Sequence, residues 1–223
     1  MARIAQAVAI ALLGCAVLLA AAGRAQAATI SSTELKAGWS LRSATNVTDT
    51  GPTISQPGYA TTGWYPVTLP TTVLAGLVAN NVYQNIYFGT NLQSVPDLTT
   101  QNWWYRGEFT APATSAGQAY WLRFKGISYR AQIWLNGTQL DANAVGTMAA
   151  HEYNVTSLIH PGAANAVAIL VTPPQHACKD LSSCTVDWNP EAPDMNAGLW
   201  GKTFLDTTGP VALRDPYVQT VLP

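Results

Sequence analysis

The segment Asp187–Trp200, DWNPEAPDMNAGLW, concentrates side chains able to do chemistry. Asp187 and Asp194 offer carboxylate acceptors. Asn189 and Asn196 offer amides that both accept and donate, and Trp188 adds a flat apolar ring. Such a set suits a polyhydroxylated ligand, whose hydroxyls need convergent polar groups and whose C–H faces stack on aromatic rings. Asp187 with Glu191 or Asp194 could also form a hydrolytic carboxylate pair. A retaining pair needs its carboxyls about 5–5.5 Å apart. Acidic residues in an exposed loop are more often simply solvated, so catalysis is not expected; for this chain alone, a polar loop that docks on another domain and binds nothing by itself is favoured over a binding site.

Other chemistry is sparse. His151-Glu152 lies in a strand-like stretch, His160 and His176 are isolated, and no His/Cys/Asp spacing fits zinc. No ligand run for calcium, no glycine-rich phosphate loop and no nucleophile-elbow serine is present. Neither a metal nor a cofactor is expected. Trp103 and Trp104 fall on opposite faces of one strand, so one is expected in the core. The other is free to stack on a ligand or pack on a neighbouring domain, packing being favoured.

Charged residues make up 10% of the 223-residue chain and nearly balance, with a net charge of −1. There is no clustered Lys/Arg footprint for nucleic acid and no basic amphipathic face for a membrane surface. Arg3, the apolar run Ile4–Ala22 and Ala25-Gln26-Ala27 form a signal-peptide pattern with cleavage expected after Ala27. The chain is therefore expected to be secreted or periplasmic. A membrane anchor, or a lipid-attachment box around Cys15, fits less well. After cleavage two cysteines remain, Cys178 and Cys184, and export favours a disulfide between them over free thiols.

The elements that must hold the loop read as strands. In Ala119–Leu140, Tyr120, Leu122 and Phe124 alternate with Trp121, Arg123 and Lys125, which is the period of a half-buried strand. Ile133 and Leu135 share a second apolar face, and Asn136-Gly137 predicts a tight hairpin turn. Further strands are predicted over Ser31–Ser43, Trp64–Leu69, Trp103–Phe109, Gly146–Val155, Asn165–Thr172, Leu199–Leu205 and Val211–Leu213. A brief helix over Val73–Ala79 is capped by Thr71 or Thr72 and stopped by Asn80-Asn81. Tyr83–Thr100 is irregular, and a single helical turn lies over Thr156–Ile159. This is an all-β sandwich over residues 28–215, with 216–223 an extended tail.

The succession WYPVTLPTTVLAGLVANNVY (64–83), NWWYRGEF (102–109), GISYRAQIWLNGTQL (126–140) and HEYNVTSLIHPGAANAVAILV (151–171) resembles the N-terminal domain of glycoside hydrolase family 2. The similarity is to the exo-β-D-glucosaminidase and β-mannosidase branch, with Asp187–Trp200 its most specific piece. The resemblance implies a galactose-binding-like jelly roll. It implies that Asp187 and Asn189 approach the terminal sugar of a glucosamine- or mannose-containing glycan; Trp188, Asp194 and Asn196 join them on the chemistry of their side chains alone. It also implies that the catalytic glutamates belong to a barrel domain outside this sequence, so that the chain is inactive alone. Where the family closes this loop with Gly, an apolar residue, an aromatic and Arg, Gly198-Leu199-Trp200 is followed here by Gly201-Lys202. The alternatives are a free-standing carbohydrate-binding module and an interaction sandwich with no sugar role.

Overall fold

A computed structural model describes residues 31–113, 117–175, 191–213 and 216–221. The expected leader, residues 1–27, and Cys178 and Cys184 with their expected disulfide lie outside the described residues. The described strands are β1 Ser31–Glu34, β2 Trp39–Ser43, β3 Tyr65–Val67, β4 Thr71–Thr72, β5 Trp103–Thr110, β6 Ala119–Phe124, β7 Arg130–Leu135, β8 Thr138–Val145, β9 His151–Asn154, β10 Ala164–Thr172, β11 Gly198–Leu199 and β12 Thr203–Thr208. Two short helices, α1 Gly51–Ile54 and α2 Val73–Ala79, join them.

The strands form a six-stranded sheet (β3-β2-β5-β10-β7-β8), a four-stranded sheet (β1-β12-β6-β9) and the small pair β11-β4. All pairings are antiparallel. The expected all-β sandwich is therefore the architecture. Its core lies between the sheets, where Leu41, Tyr105, Ile133, Leu135, Val167, Ile169 and Val171 meet Tyr120, Leu122, Phe124 and Leu205. Tyr120, Leu122 and Phe124, and Ile133 and Leu135, are the residues expected on the apolar faces of their strands.

Three readings need correction. First, the opening strand breaks at Leu35–Gly38, where the Trp39 indole N–H donates to the Leu35 carbonyl at 2.8 Å. β1 joins one sheet and β2 the other. Second, the closing strand expected over Leu199–Leu205 is split at Trp200–Lys202 into β11, which pairs with β4, and β12, which pairs with β1 and β6. β6 and β7 lie in different sheets. Ile127 and Ser128 are buried between them, and Ser128 exchanges backbone hydrogen bonds with Gly198 (2.9 and 2.7 Å), so the chain crosses between sheets here. The hairpin is β7–β8, and Asn136 and Gly137 take the expected left-handed conformations, with φ of 48° and 86°. Third, Val211–Leu213 is not a strand, and Gly146–Val155 shortens to β9 because Gly146 starts a turn closed by the Ala149 N–H (3.1 Å).

The six-stranded sheet is also covered on its outer face. There Ile54, Trp104, Trp134 and Ala168 form a second small core under α1. The two indoles lie 5.5 Å apart at 49°. Gly51 sits directly on the Trp134 ring, where a Cβ would come within 2.3 Å. Trp104 is thus packed within the domain, as Trp103 is, and neither is a free platform. Beside them the buried Arg106 donates to the carbonyls of Ile54 (3.1 Å) and Gln56 (3.0 Å) and pairs with Glu108. That hydrogen bond holds the Glu108 carboxyl below the usual range, against the opposing effect of burial.

One buried polar group ties the turns together. The Asn165 oxygen accepts from the His160 N–H and from the Asn136 amide, both at 2.7 Å. Its nitrogen donates to the carbonyls of His160 (3.0 Å) and Ala163 (2.9 Å). Asn165→Ala would leave these partners unsatisfied inside the protein. The expected loss, read from the guanidinium unfolding midpoint, is about 3 kcal/mol. A loss below about 0.5 kcal/mol, typical of surface changes, would show that the network is dispensable.

Candidate functional site

The loop end of the sandwich is built around the N-terminus of α2. Thr72 caps this helix, its hydroxyl accepting from the Ala75 N–H at 3.3 Å. Asp194 completes the cap from across the fold. One carboxylate oxygen accepts from the Leu74 N–H at 2.7 Å and the other from the Asn196 N–H at 3.0 Å. Met195 and Asn196 both take positive φ (47° and 58°), and the Ala197 N–H closes this turn on the Asp194 carbonyl at 2.8 Å. β11 then pairs with β4, so the loop is clamped to the helix it caps.

Burial pushes the Asp194 carboxyl above its ordinary value, partly opposed by the hydrogen bonds from Leu74, Asn196 and Thr72. The buried Tyr105 hydroxyl is driven well up, first by burial and then by the Asp194 charge. Of the five residues expected to meet a ligand, Asp194 and Asn196 are described. They do different things. Asp194 is buried and its carboxylate is committed to the helix, whereas the Asn196 side chain is exposed. Asp187, Trp188 and Asn189 lie outside the described residues. The pairing of Asp187 with Asp194 or Glu191 therefore has no geometry here, although Glu191 itself is exposed.

Two adjoining cavities open along this loop. One, of about 450 Å³, has Thr72, Leu74, Ile86 and Tyr87 opposite Asp194 and Asn196. The other, of about 350 Å³, lies between Gly89–Asp97 and Glu191–Pro193. Leu92 and Ala192 border both, so they form one trough. Tyr87 in its wall is 95% exposed, and the next residue along the chain, Phe88, is 78% exposed. The sequence marked Tyr83–Thr100 as irregular but did not identify it as a wall of the site. The adjacent aromatic pair Tyr87-Phe88 in a polar loop was the available signal.

The close of the loop also differs from the expected pattern for a physical reason. Gly201 donates its N–H to the Gly126 carbonyl at 3.1 Å, and any Cβ there would lie 2.3 Å from the Gly126 nitrogen. Lys202 reaches Glu34 at 3.4 Å, so its charge is engaged away from the trough. Trp200 is partly exposed and donates its indole N–H to the Thr147 carbonyl at 3.0 Å. Among the described residues no group of three His, Cys, Asp or Glu side chains is placed to hold a metal, and no helix is long and apolar enough to cross a membrane.

This fold and loop arrangement define a galactose-binding-like β-sandwich, and residues 39–198 match the model of the glycosyl hydrolase 2 galactose-binding domain-like family. The chain belongs to that family. It is similar to the exo-β-D-glucosaminidase of Streptomyces avermitilis, with 39% identity over 197 residues, covering 87% of this chain and 21% of that protein. The crystal structure of the Amycolatopsis orientalis exo-chitosanase CsxA superposes with a TM-score of 0.75 at 33% identity, covering 82% of this chain and 21% of that one. The mannosylglycoprotein endo-β-mannosidase of Lilium longiflorum is 27% identical over 210 residues, covering 82% of this chain and 22% of that protein. The chain thus spans about a fifth of the length of these relatives.

The position of Asp194 predicts a distinctive pH signature. Its folded-state carboxyl titrates above its unfolded value of 3.8, so between those two values the folded state binds more protons. Stability contributed by protonated Asp194 is complete below pH 3.8 and is lost as pH rises through the folded value. Asp194→Asn is expected to flatten that fall in the unfolding free energy relative to the unaltered protein. Asp194→Ala should cost about 1–2 kcal/mol at low pH, through the orphaned Leu74 and Asn196 N–H groups, and less as pH rises through the folded value. Identical pH slopes for Asn and Asp at this position would refute the assignment.

Proposed function

We propose that this chain is the N-terminal sugar-pocket domain of a secreted exo-β-D-glucosaminidase-like glycoside hydrolase. It is inactive by itself and supplies one wall of a pocket whose catalytic carboxylates come from a barrel domain outside this sequence. The observation that carries the reading is the trough beside Asn196, with Tyr87 exposed in its wall and Phe88 exposed next to Tyr87 in the chain. A ring pair so open to water is costly for a free domain and is expected where another domain docks. The relatives' length, about five times the span matched here, leaves ample chain for such a domain.

In the assembled enzyme Asp187 and Asn189 contact the terminal sugar, Asp187 pairing with the ammonium of a glucosaminyl unit and Trp188 stacking beside it. Asp194 contributes by fixing the loop on α2, and Asn196 presents its amide at the rim. Export follows cleavage near Ala27, and a Cys178–Cys184 disulfide closes the start of the loop.

The test is hydrolysis of a nitrophenyl β-D-glucosaminide. The chain alone is expected to give no turnover. Mixed with a catalytic barrel polypeptide from the same gene, it is expected to restore activity, and Asp187→Ala should then lower kcat/KM by about a hundredfold. Replacing Tyr87 and Phe88 by Ser should weaken the association of the two parts without lowering the melting temperature of this chain. Asp187-dependent turnover by the chain alone would overturn the reading.

A further inference from the structure

A second cavity, of about 300 Å³, lies round the corner from the trough, where the ends of β2 and β5 meet the C-terminal end of α2. Asp97 borders both spaces. The walls of this cavity include Arg42, Asn46, Tyr65, Tyr83 and Gln101. The Arg42 guanidinium lies 6.0 Å from the centre of the Tyr65 ring and donates from one nitrogen to the Gly63 carbonyl. Tyr83 stands near enough to Tyr65 that its hydroxyl is pushed up by burial and then by its neighbour.

Most of the polar groups here are uncommitted. Among the described residues neither tyrosine hydroxyl makes a hydrogen bond, and neither does the Asn46 amide. Gln101 uses only its oxygen, which accepts from Ser43 (2.5 Å) and Thr45 (3.0 Å), so its NH₂ is open. Arg42 has donors beyond the one given to Gly63. Asp97, by contrast, is engaged by the Thr99 N–H (2.8 Å) and hydroxyl (2.6 Å). Open donors and hydroxyls thus converge beside two rings in a space large enough for one six-membered sugar ring.

From this convergence we infer that the Arg42–Tyr65–Tyr83 cavity is a second saccharide site, which binds one neutral or N-acetylated pyranose unit of a glycan. The rings take a C–H face, the amides and phenols take hydroxyls, and Arg42 donates to an acetyl or ring oxygen. The cavity is bordered by the Arg42 cation and by the Asp97 carboxylate, whose Oδ1 Thr99 engages; because Arg42 lies at the ring pair that takes the sugar, an ammonium on that sugar is repelled. This separates the cavity from the trough, whose proposed ligand is a glucosaminyl unit. The inference is independent of the enzyme reading, because it needs neither a barrel nor turnover.

The experiment is a titration of the ¹⁵N-labelled full chain with the N-acetylglucosamine hexamer, and in parallel with the glucosamine hexamer at about pH 5.5, where its amines are charged. The first is expected to shift the resonances of Arg42, Asn46, Tyr65, Tyr83 and Gln101, with a dissociation constant in about the millimolar range. The second should leave them unmoved. Arg42→Ala and Tyr83→Ala should each weaken binding about five- to tenfold while the rest of the spectrum keeps its dispersion. Should either variant unfold, the shift map of the unaltered chain decides alone. No shifts at these residues, shifts confined to the trough, or equal response to the charged hexamer would each overturn the proposal.

Discussion

The fully buried carboxamide of Asn165 is the constraint on which the sandwich depends. It sits at the start of β10, the strand paired with both β5 and β7 in the larger sheet. Through Asn136 it fixes the β7–β8 turn, and through His160 it fixes the turn leaving β9 in the other sheet. Asn136 in turn accepts from the Ala166 N–H at 2.9 Å and donates to the Leu158 carbonyl at 2.8 Å. A side chain with one acceptor and one donor end is what such a junction of orphan backbone groups requires. Leucine, with the same branching and number of heavy atoms, would leave every partner unsatisfied.

From that junction the placement of the site follows. β10 is covered on both faces, with Val167, Ile169 and Val171 in the main core and Ala168 beneath the Trp104–Trp134 pair. A sheet so held gives Tyr105 a fixed position under the loop end, 3.5 Å from the Thr71 carbonyl. β4, α2 and the Asp194 turn are assembled on that base. A carboxylate at a helix N-terminus is favourable, and here the same carboxylate pins a loop distant in sequence. The rigidity of the trough floor therefore comes from helix capping.

Much of this was legible in the residues, and the failures share a cause. Alternation located the inner faces of β5, β6, β7 and β10, because one side of each meets the core. Asn136-Gly137 gave its turn, and Thr72 its cap, because both act locally. What alternation cannot encode is which sheet a strand joins: Ile127 and Ser128 carry the chain from β6 in one sheet to β7 in the other, and the period of two is the same in both. Nor does it show that Trp104 is covered, since the cover comes from α1 some fifty residues earlier. In the candidate site, Asp194 and Asn196 looked alike as polar loop residues. Two positive-φ residues and a distant helix end separate their roles, and neither is visible in composition.

The register of β1 on β12, with Ser31 opposite Thr207 and Glu34 opposite Phe204, brings the beginning and the end of the sandwich to the same edge of one sheet. Because the two strands run in opposite directions, both ends of the chain leave from the same corner of that ladder. A tether pulling on those two ends would load its hydrogen bonds one after another, as a zipper opens, instead of all together in shear. The domain would resist squeezing and sideways load through its packed core, yet would peel from its first strand under longitudinal pull.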